Sequence, residues 1–347
     1  MADASDERAI HYRSDQRRRR DFFVQRAPGL RLFVREVRGT EPARGVPLLL
    51  LHGARVPGVA SFDLDVPGGS LAADLAQSGR VVYLMDAHGY GFSTRPAAMA
   101  QPRTGNPPLA RAPQIVRDVA AVVEAIVERT GSEQVALFGW ATGGTWLGLY
   151  ATLSPERVSH LITHNTLLGA TPNASVGAGS SLEDPDQPGR FDFAGTGAYT
   201  LSAAASLLRA WDASIPGEDK TAWRDPAVAD AYVAAALASD ATAEERTPPS
   251  FRAPAGALED SYYLGTGRQL WDGSLLRCNL LISRGGRDFW SAPGDPERLA
   301  AQAVHAAEVR RLEQPEATHF VHLDRPERGR AALLDAVRAF LEPAPPA

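Results

Sequence analysis

The stretch Gln134-Val-Ala-Leu-Phe-Gly-Trp-Ala-Thr-Gly-Gly144 decides the fold of this chain. Its first half is an apolar run typical of a buried strand, and a helical pattern over residues 143–153 follows it at once. A strand that turns so abruptly into a helix needs small residues two positions before and two positions after the tip, because the two backbones nearly touch there. Gly139 and Gly143 occupy those positions, and Ala141 stands between them. The sequence therefore predicts a sharp strand–turn–helix unit with Ala141 at its tip.

Around this unit, short apolar runs alternate with amphipathic helical patterns, which is typical of a mostly parallel sheet with helices on both faces. The clearest helix has an apolar stripe over residues 115–127, with Pro113 in its first turn and Gly131 at its end. Strands are predicted, beginning with a hairpin, at residues 22–25, 30–37, 47–51, 81–85, 134–138, 158–162, 275–283 and 309–312. We therefore expect an α/β fold built on one central sheet, with a short helix at residues 71–75 and a last helix that ends near Leu341.

The alternation stops between residues 168 and 273, where no buried strand is evident. Ala-rich helical segments in this region carry large aromatic side chains, namely Tyr199, Trp211, Trp223 and Tyr232. We predict a helical cap over residues 168–273, inserted between two strands of a core that comprises residues 22–167 and 274–342. Residues 1–21 are expected to form a solvated basic lead-in and residues 343–347 a disordered tail.

Composition limits the classes of protein to which the chain can belong. Its 347 residues suffice for one large domain with an insertion, and 44% hydrophobic with 22% charged residues is ordinary for an ordered globular protein. The formal net charge of −5 argues against nucleic acid and against a membrane surface as the main partner. No segment approaches the run of about 18 apolar residues that a membrane span requires.

The N-terminal arginines, the single cysteine and the histidines allow three further predictions. Arg19 and Arg20 precede Phe22 and Phe23 somewhat as in an export signal, but further charges follow within a few residues, so we expect a cytoplasmic protein. The single cysteine, Cys278, excludes an internal disulfide and lies in an apolar run, where a buried thiol is expected rather than a reactive one. The histidines are scattered, and no metal site is predicted.

Four other segments each lie at or after the end of a predicted strand. They are Leu49-Leu50-Leu51-His52-Gly53-Ala54, Asp86-Ala87-His88-Gly89-Tyr90-Gly91-Phe92-Ser93, Gly285-Gly286-Arg287-Asp288 and Ala317-Thr318-His319-Phe320. With these segments and the glycine-flanked turn, the chain resembles the α/β-hydrolases, the large group of serine esterases, lipases and epoxide hydrolases. The resemblance covers most of residues 25–342 apart from the insertion, which falls where this family places its helical cap. His88 departs from the family pattern, which usually has arginine there.

The resemblance implies a nucleophile, an acid and a histidine in the chain order that the fold requires. Ala141 takes the place of the nucleophile, Asp288 that of the acid and His319 that of the base. Histidine suits proton transfer because its pKa lies near neutrality, and an aspartate on its other ring nitrogen fixes the tautomer. Weaker alternatives are Asp272 and Asp295 for the acid and His322 for the base.

The family pattern also implies a binding cleft above the turn. The backbone N–H groups of Ala54 and Thr142 would form an oxyanion hole, for which the side-chain identity does not matter. His52 is expected to hold the loop that carries Ala54. Trp140 and Trp290 are the candidates for substrate binding, although Trp140 could equally pack beneath the turn.

Alanine has no nucleophilic atom, so the chain as written should bind its substrate and hardly turn it over. Two explanations of Ala141 remain open. Either a serine was replaced deliberately to trap a complex, or the chain is a natural relative that has lost hydrolysis. The intact remainder of the site favours the deliberate replacement of serine. With serine at position 141, we expect a carboxylic ester hydrolase that acts through an acyl-enzyme. Its substrate would be a small acyl compound, and it would need no cofactor.

Other functions share the same residues. The same arrangement of nucleophile, acid and histidine would also serve other reactions, so the fold cannot separate them. These are cleavage of a thioester, a lactone, an amide or a carbon–carbon bond next to a carbonyl, and acyl transfer. An ancestral aspartate at position 141, as in epoxide hydrolases and haloalkane dehalogenases, fits Gly139-Trp-x-Thr-Gly-Gly144 less well than serine does. A natural, non-catalytic small-molecule binding protein is the alternative outside the enzymes, and Ala141 itself supports it. The sequence does not predict the oligomeric state.

Overall fold

The computed structural model describes residues 11–12 and 18–342. In this part of the chain the strands are β1 (His11–Tyr12), β2 (Arg18–Ala27), β3 (Leu30–Arg38), β4 (Leu48–Leu51), β5 (Val82–Met85), β6 (Val135–Trp140), β7 (Val158–His164), β8 (Tyr199–Ala203), β9 (Ser250–Pro254), β10 (Asn279–Arg287) and β11 (Val309–Thr318). The helices are α1 (Gly58–Phe62), α2 (Leu71–Ala76), α3 (Ala112–Thr130), α4 (Thr142–Leu153), α5 (Phe193–Thr196), α6 (Ala204–Ser214), α7 (Pro226–Ala238), α8 (Gly256–Gly265), α9 (Asp295–Gln302) and α10 (Arg330–Leu341).

One large sheet organises these elements. Its strands lie in the order β1-β2-β3-β5-β4-β6-β7-β10-β11. The strands from β5 to β11 in that order pair in parallel, whereas β1, β2 and β3 pair antiparallel and β3 joins β5 antiparallel. The predicted α/β fold, with a mostly parallel central sheet flanked by helices, is confirmed.

The central strands β4, β5 and β6 are buried along their whole length. Helices α1 and α2 pack against β5, while α3 and α4 pack against β6. Strands of a parallel sheet that is covered by helices are apolar throughout instead of alternating, and the four consecutive leucines of Leu48–Leu51 illustrate this. Because the carboxyl ends of parallel strands meet at one edge of a sheet, the loops after β4, β6, β10 and β11 converge there.

Most strands extend beyond the apolar runs that predict them. Strand β6 continues to Trp140, β7 to His164 and β11 to Thr318. The polar ends of these strands form hydrogen bonds at the sheet edge, as His164 Nδ1 does with the Ser283 hydroxyl at 3.1 Å. Strand β10, by contrast, begins only at Asn279, because a 3₁₀ turn at Gly273–Leu275 precedes it.

The prediction of a solvated lead-in over residues 1–21 is wrong for residues 18–21, which belong to β2. Arg19 is buried there, and its guanidinium donates two hydrogen bonds to the carboxylate of Asp63, at 2.7 and 2.6 Å. The Ser70 hydroxyl and Arg35 also donate to Asp63, at 2.7 and 3.1 Å. Strand β2 begins with three consecutive arginines, which show no alternation of apolar and polar residues, so the sequence pattern does not predict this part of the strand. The rest of the predicted lead-in, except His11–Tyr12, and the predicted tail at residues 343–347 lie outside the described residues.

The chain between β7 and β10, hereafter the cap, contains α5 to α8 and a two-stranded antiparallel sheet of β8 and β9. The expectation that this region holds no buried strand is wrong, because β9 is largely buried. A strand of five residues is too short for its pattern to be distinguished from that of a helix. Trp211 of α6 anchors the cap, since its ring stacks on Phe320 at a centroid distance of 5.0 Å and its indole N–H donates to Asp324 at 2.8 Å.

The buried carboxylate of Asp63 yields a prediction about stability. Replacing it, as in Asp63→Ala, leaves the buried Arg19 without this counter-charge, and we expect a loss of about 3–5 kcal/mol in the free energy of unfolding. Urea denaturation at neutral pH measures this loss. The matched control is Glu124→Ala, which breaks an exposed ion pair with Arg157 and should cost about 1 kcal/mol or less.

The effect of Asp63 should also depend on pH. Burial by itself would raise the pKa of this carboxyl, but Arg19, Arg35 and Ser70 together hold the pKa below its usual value. The contribution of Asp63 to stability is therefore fully present above the unfolded-state pKa of about 4 and is lost as the pH falls further. The difference between the parent and Asp63→Ala should narrow in acid, and a difference that stays constant down to pH 2 would contradict this account.

Candidate active site

The turn between β6 and α4 places Ala141 in a strained backbone conformation, with φ 53° and ψ −123°. Residues with a Cβ atom rarely adopt a positive φ, and such positions persist only where the surrounding structure enforces them. Two hydrogen bonds hold the turn, one from Ala141 N to His164 O at 2.9 Å and one from Gly144 N to Ala141 O at 3.1 Å.

Close backbone packing surrounds this turn, as its glycines show. A Cβ atom on Gly139 would stand 2.6 Å from the carbonyl carbon of Gly143, and one on Gly143 would stand 2.5 Å from His52 O. Real Cβ atoms do not approach other heavy atoms so closely. Strand β6, helix α4 and the loop after β4 can therefore meet only because these positions carry no side chain.

The loop after β4 faces the tip of the turn. A Cβ atom on Gly53 would stand 3.2 Å from the Ala141 Cβ and 3.9 Å from Thr142 N. Within residues 18–342, the backbone N–H groups of Ala54 and Thr142 donate no hydrogen bond. These are the two groups predicted for an oxyanion hole, and both residues line the same cleft as Ala141.

Two neighbouring residues fix this loop. His52 Nδ1–H donates to Gly53 O at 2.7 Å, and its Nε2 accepts from Ala87 N at 3.2 Å, which together define one neutral tautomer. Burial lowers the pKa of His52 to about 4, so the ring stays neutral at physiological pH. The Tyr90 hydroxyl donates to Ala54 O at 3.1 Å and lies 3.3 Å from Pro254 O of β9, which links the loop to the cap.

Asp288 and His319 form a buried pair beside the turn. The distance from His319 Nδ1 to Asp288 Oδ1 is 2.6 Å. Asp288 also accepts hydrogen bonds from Trp290 N at 2.9 Å, from Ser291 N at 3.0 Å and from the Ser291 hydroxyl. Burial alone would raise the pKa of Asp288, but His319 and these donors hold the pKa below its usual value. The ionised carboxylate accepts a hydrogen bond from His319 Nδ1–H, which leaves Nε2 as the basic nitrogen.

Adjacent parallel strands bring this pair together. Asp288 follows β10 and His319 follows β11. Asn165, just after β7, holds both loops, because its amide donates to His319 O at 3.0 Å and its side-chain oxygen accepts from Gly285 N at 2.8 Å. The Trp140 indole N–H donates a further hydrogen bond to His319 O, at 3.1 Å. Asn165 also has a positive φ of 48°, which asparagine tolerates better than most residues.

The alternative residues weighed from the sequence have other surroundings. Asp295 accepts from Leu168 N at 3.0 Å and from the Thr171 hydroxyl, and Asp272 accepts from Ser274 N. Burial brings the pKa of His322 well below its usual value, and its ring packs on Trp140 at a centroid distance of 4.5 Å. None of the three residues lines the cleft.

The cleft over Ala141 encloses about 640 Å³, counted out to its open mouth. Most of its lining is apolar, and aromatic side chains contribute much of it. The lining residues include Ala54, Arg55, Trp140, Ala141, Thr142, Tyr232, Phe289, Trp290, His319 and Phe320. Both residues predicted for substrate binding, Trp140 and Trp290, therefore face this space.

A sequence family described as "alpha/beta hydrolase fold" matches residues 46–326. The chain belongs to the alpha/beta hydrolase fold family. No curated protein matches it.

Solved structures with this fold match nearly the whole chain at low identity. The thioesterase domain from the curacin biosynthetic pathway is 14% identical with a TM-score of 0.58, and the match covers 95% of this chain and 99% of that one. A serine hydrolase from the polyaromatic-hydrocarbon-degrading bacterium Cycloclasticus zankles is 15% identical with a TM-score of 0.56, covering 93% and 97%. A meta-cleavage product hydrolase is 15% identical with a TM-score of 0.58, covering 91% and 96%. Identities this low establish the shared fold alone.

Possible metal ligands, the lengths of the helices and the single cysteine bear on other kinds of site in this α/β-hydrolase. In the described part of the chain, no group of three or more His, Cys, Asp or Glu side chains is arranged to hold a metal ion. Among the same residues, every helix is too short or too polar to cross a bilayer. Cys278 is buried, and burial raises the pKa of its thiol to about 12, which favours the protonated form.

Three residues of the site gave no signal in the sequence. Asn165 binds the His319 loop through a contact between strands that are distant in the chain. Ser291 binds Asp288 within one loop, three residues further along the chain. Arg55 lies in the cleft beside Ala54. A positive φ at an asparagine is a property of the folded backbone, and single polar residues in loops carry no periodicity.

The strained turn allows a direct test of the backbone geometry. Ala141→Gly should stabilise the protein by about 1 kcal/mol. Glycine relieves a backbone strain of roughly 1–3 kcal/mol, and its larger conformational entropy in the unfolded chain cancels part of that gain. The matched control, Ala121→Gly in the middle of α3, should destabilise by about 1 kcal/mol. Thermal and urea denaturation of the three proteins measure these changes. Destabilisation by both substitutions would contradict a strained tip.

Proposed function

We propose that the cleft is the active site of a carboxylic ester hydrolase whose chemistry requires serine at position 141, and that the chain with Ala141 holds its substrate without cleaving it. The observation that carries this proposal is the hydrogen-bonded Asp288–His319 pair beside a strained strand–helix tip. In the same cleft, the backbone N–H groups of Ala54 and Thr142 donate no hydrogen bond to any residue that the structure describes. A base, its orienting acid and an anion-binding pair in one cleft are the parts that acyl transfer needs.

With serine at the tip, its hydroxyl attacks the acyl carbonyl while His319 Nε2 takes the hydroxyl proton. Asp288 stabilises the resulting imidazolium, and the N–H groups of Ala54 and Thr142 donate to the carbonyl oxygen as it becomes negative. His319 then protonates the departing alkoxide, which leaves an acyl-enzyme and a free alcohol. Water repeats the sequence with the same base, so the carboxylic acid leaves and the serine hydroxyl is restored.

With alanine at the tip, the covalent step is absent and the binding surfaces remain. The oxyanion donors are backbone groups, and the aromatic lining does not involve position 141. Deleting the nucleophile of a serine hydrolase lowers kcat by about 10⁶, whereas the contacts that bind the substrate persist. An intact ester should therefore remain bound to this chain.

Acyl compounds with apolar groups suit the cleft, because most of its lining is apolar, and esters are the first class to test. The thioesterase and the meta-cleavage product hydrolase named above share the fold, so thioesters and carbon–carbon bonds next to a carbonyl belong in the same test. A non-catalytic binding protein is the second candidate, and Ala141 favours it. A binder gains nothing from a desolvated carboxylate that orients a histidine, which is why hydrolysis comes first.

The proposal predicts that Ala141→Ser gains esterase activity. The variant should hydrolyse p-nitrophenyl esters of short and medium acids and react with a fluorophosphonate probe, whereas the parent chain should do neither. The assay panel includes thioesters, lactones and amides, so that a different leaving group would be detected. An Ala141→Ser variant that is folded but neither hydrolyses nor is labelled would refute the serine-hydrolase proposal and favour the binding protein.

A second prediction assigns the pair. In the Ala141→Ser background, His319→Ala should lower kcat by about 10⁶ and Asp288→Asn by about 10⁴, because the latter stabilises the wrong histidine tautomer. His322→Gln is the matched control, since this buried histidine does not line the cleft and should leave kcat within about tenfold. Equal losses for His319 and His322 would contradict the assignment of His319 as the base.

A further inference from the structure

Arg55 occupies an unusual place in the cleft. Among the described residues that line this space, it is the only one with a permanent positive charge. It directly follows Ala54, so its side chain starts next to the N–H group proposed to hold the acyl carbonyl oxygen. A half-buried cation therefore forms part of the wall of the cleft that Ala54 and Ala141 also line.

The hydrogen bonds that Arg55 forms with described residues are with neutral groups. Its Nε donates to the Ser202 hydroxyl at 3.3 Å and its Nη2 to the Ser206 hydroxyl at 3.1 Å, which fixes the guanidinium against β8 and α6 of the cap. Within residues 18–342, no Asp or Glu forms an ion pair with it, and its Nη1 donates no hydrogen bond. Burial in these surroundings lowers the pKa of Arg55.

Other half-buried arginines of this protein pair with carboxylates or donate to several backbone carbonyl oxygens. Arg35 pairs with Asp21 at 2.6 Å, and Arg252 pairs with Asp240 at 2.8 Å. Arg95 instead donates to four carbonyl oxygens at 3.0–3.4 Å. Among the described residues, Arg55 has neither kind of acceptor. A desolvated charge without a counter-charge is unfavourable, so such groups are normally paired. The missing partner of Arg55 is the feature that requires an explanation.

Tyr232 adds a second polar group to the same wall. Its side chain lines the cleft and lies close enough to Arg55 for the two groups to interact electrostatically. No hydrogen bond of the Tyr232 hydroxyl is found in the described part of the chain. A phenol hydroxyl and a guanidinium N–H, both with unused donors, suit an oxyanion ligand in a mainly apolar cleft.

We propose that Arg55, assisted by Tyr232, binds the carboxylate of an acyl substrate that is itself an anion, and is therefore the specificity-determining residue of the cleft. The substrate class is a monoester of a dicarboxylic acid, whose free carboxylate and scissile carbonyl occupy the one cleft that Arg55 and Ala54 both line. To this extent the inference rests on the proposed function. The carboxylate supplies the counter-charge that Arg55 lacks and receives a charge-assisted hydrogen bond from Nη1.

The test uses binding to the unaltered Ala141 chain, which cleaves nothing. Monomethyl succinate, glutarate, adipate and phthalate are each compared with the corresponding uncharged dimethyl ester, by calorimetry and by the fluorescence of the cleft tryptophans Trp140 and Trp290. At least one monoester should bind about tenfold to 100-fold more tightly than its diester, because hydrogen bonds to charged groups contribute that much. Arg55→Met should abolish this preference, and Arg55→Lys should retain part of it.

The matched control is Arg209→Met, which removes an exposed arginine from α6, the helix that carries Ser206. It should leave the preference for the anion unchanged. Three outcomes would each overturn the proposal. They are equal affinities for monoesters and diesters, no binding of any monoester, and an undiminished preference for the anion in a folded Arg55→Met variant. Because the unaltered chain alone reveals the preference, poor folding of a variant does not remove the test.

The outcome is separable from that of the proposed function. If Ala141→Ser is inactive while the Ala141 chain still prefers the anion through Arg55, hydrolysis is refuted and the anion site stands. If Ala141→Ser hydrolyses neutral esters as fast as their monoester counterparts, the Arg55 proposal is refuted and the esterase stands.

Discussion

The close approach of β6, α4 and the loop after β4 is the constraint on which the rest of the site depends. Gly139 and Gly143 permit that approach, since a Cβ atom on either would collide with backbone. The resulting turn forces a positive φ on Ala141 and points its Cβ toward Gly53. The N–H groups of Ala54 and Thr142, at the edges of this approach, have no hydrogen-bond partner among the described residues. An anion-binding position made by such backbone groups needs no particular side chain.

A second set of contacts brings the acid and the base to this position. The parallel order of β6, β7, β10 and β11 places their carboxyl ends side by side. Asn165, at the end of β7, then binds the backbone of β10 and of the His319 loop. Ser291 and Trp290 N supply the remaining lone pairs of Asp288 with donors. A buried carboxylate that is fully hydrogen-bonded stays ionised, and this is the state that orients a histidine.

The sequence predicts those parts of the molecule that are repetitive or sterically demanding. Apolar runs predict the central strands, and the glycines predict the turn, because both signals are local. Arg19 shows the limit, since its burial depends on Asp63, which no local pattern connects with it. Strand β9 is too short to show a period, and Asn165 acts through strands more than a hundred residues away. Contacts of this kind exist only in the folded chain, so a positioning residue such as Asn165 can be identified only from the structure. Sequence motifs, by contrast, predict Ala141, Asp288 and His319.

The retention of the Asp288–His319 pair beside an alanine bears on what the cleft does. Alanine differs from serine by one oxygen, so the strained turn, the loop after β4 and the oxyanion donors do not distinguish the two residues. The pair is different, because keeping Asp288 ionised in the interior requires desolvation that only its donors and His319 offset. Ligand binding alone gives no reason to maintain that arrangement, whereas Arg55 could serve a binder or a catalyst equally. Arg55 therefore bears on which ligand enters the cleft, and the buried pair bears on whether the ligand is to react.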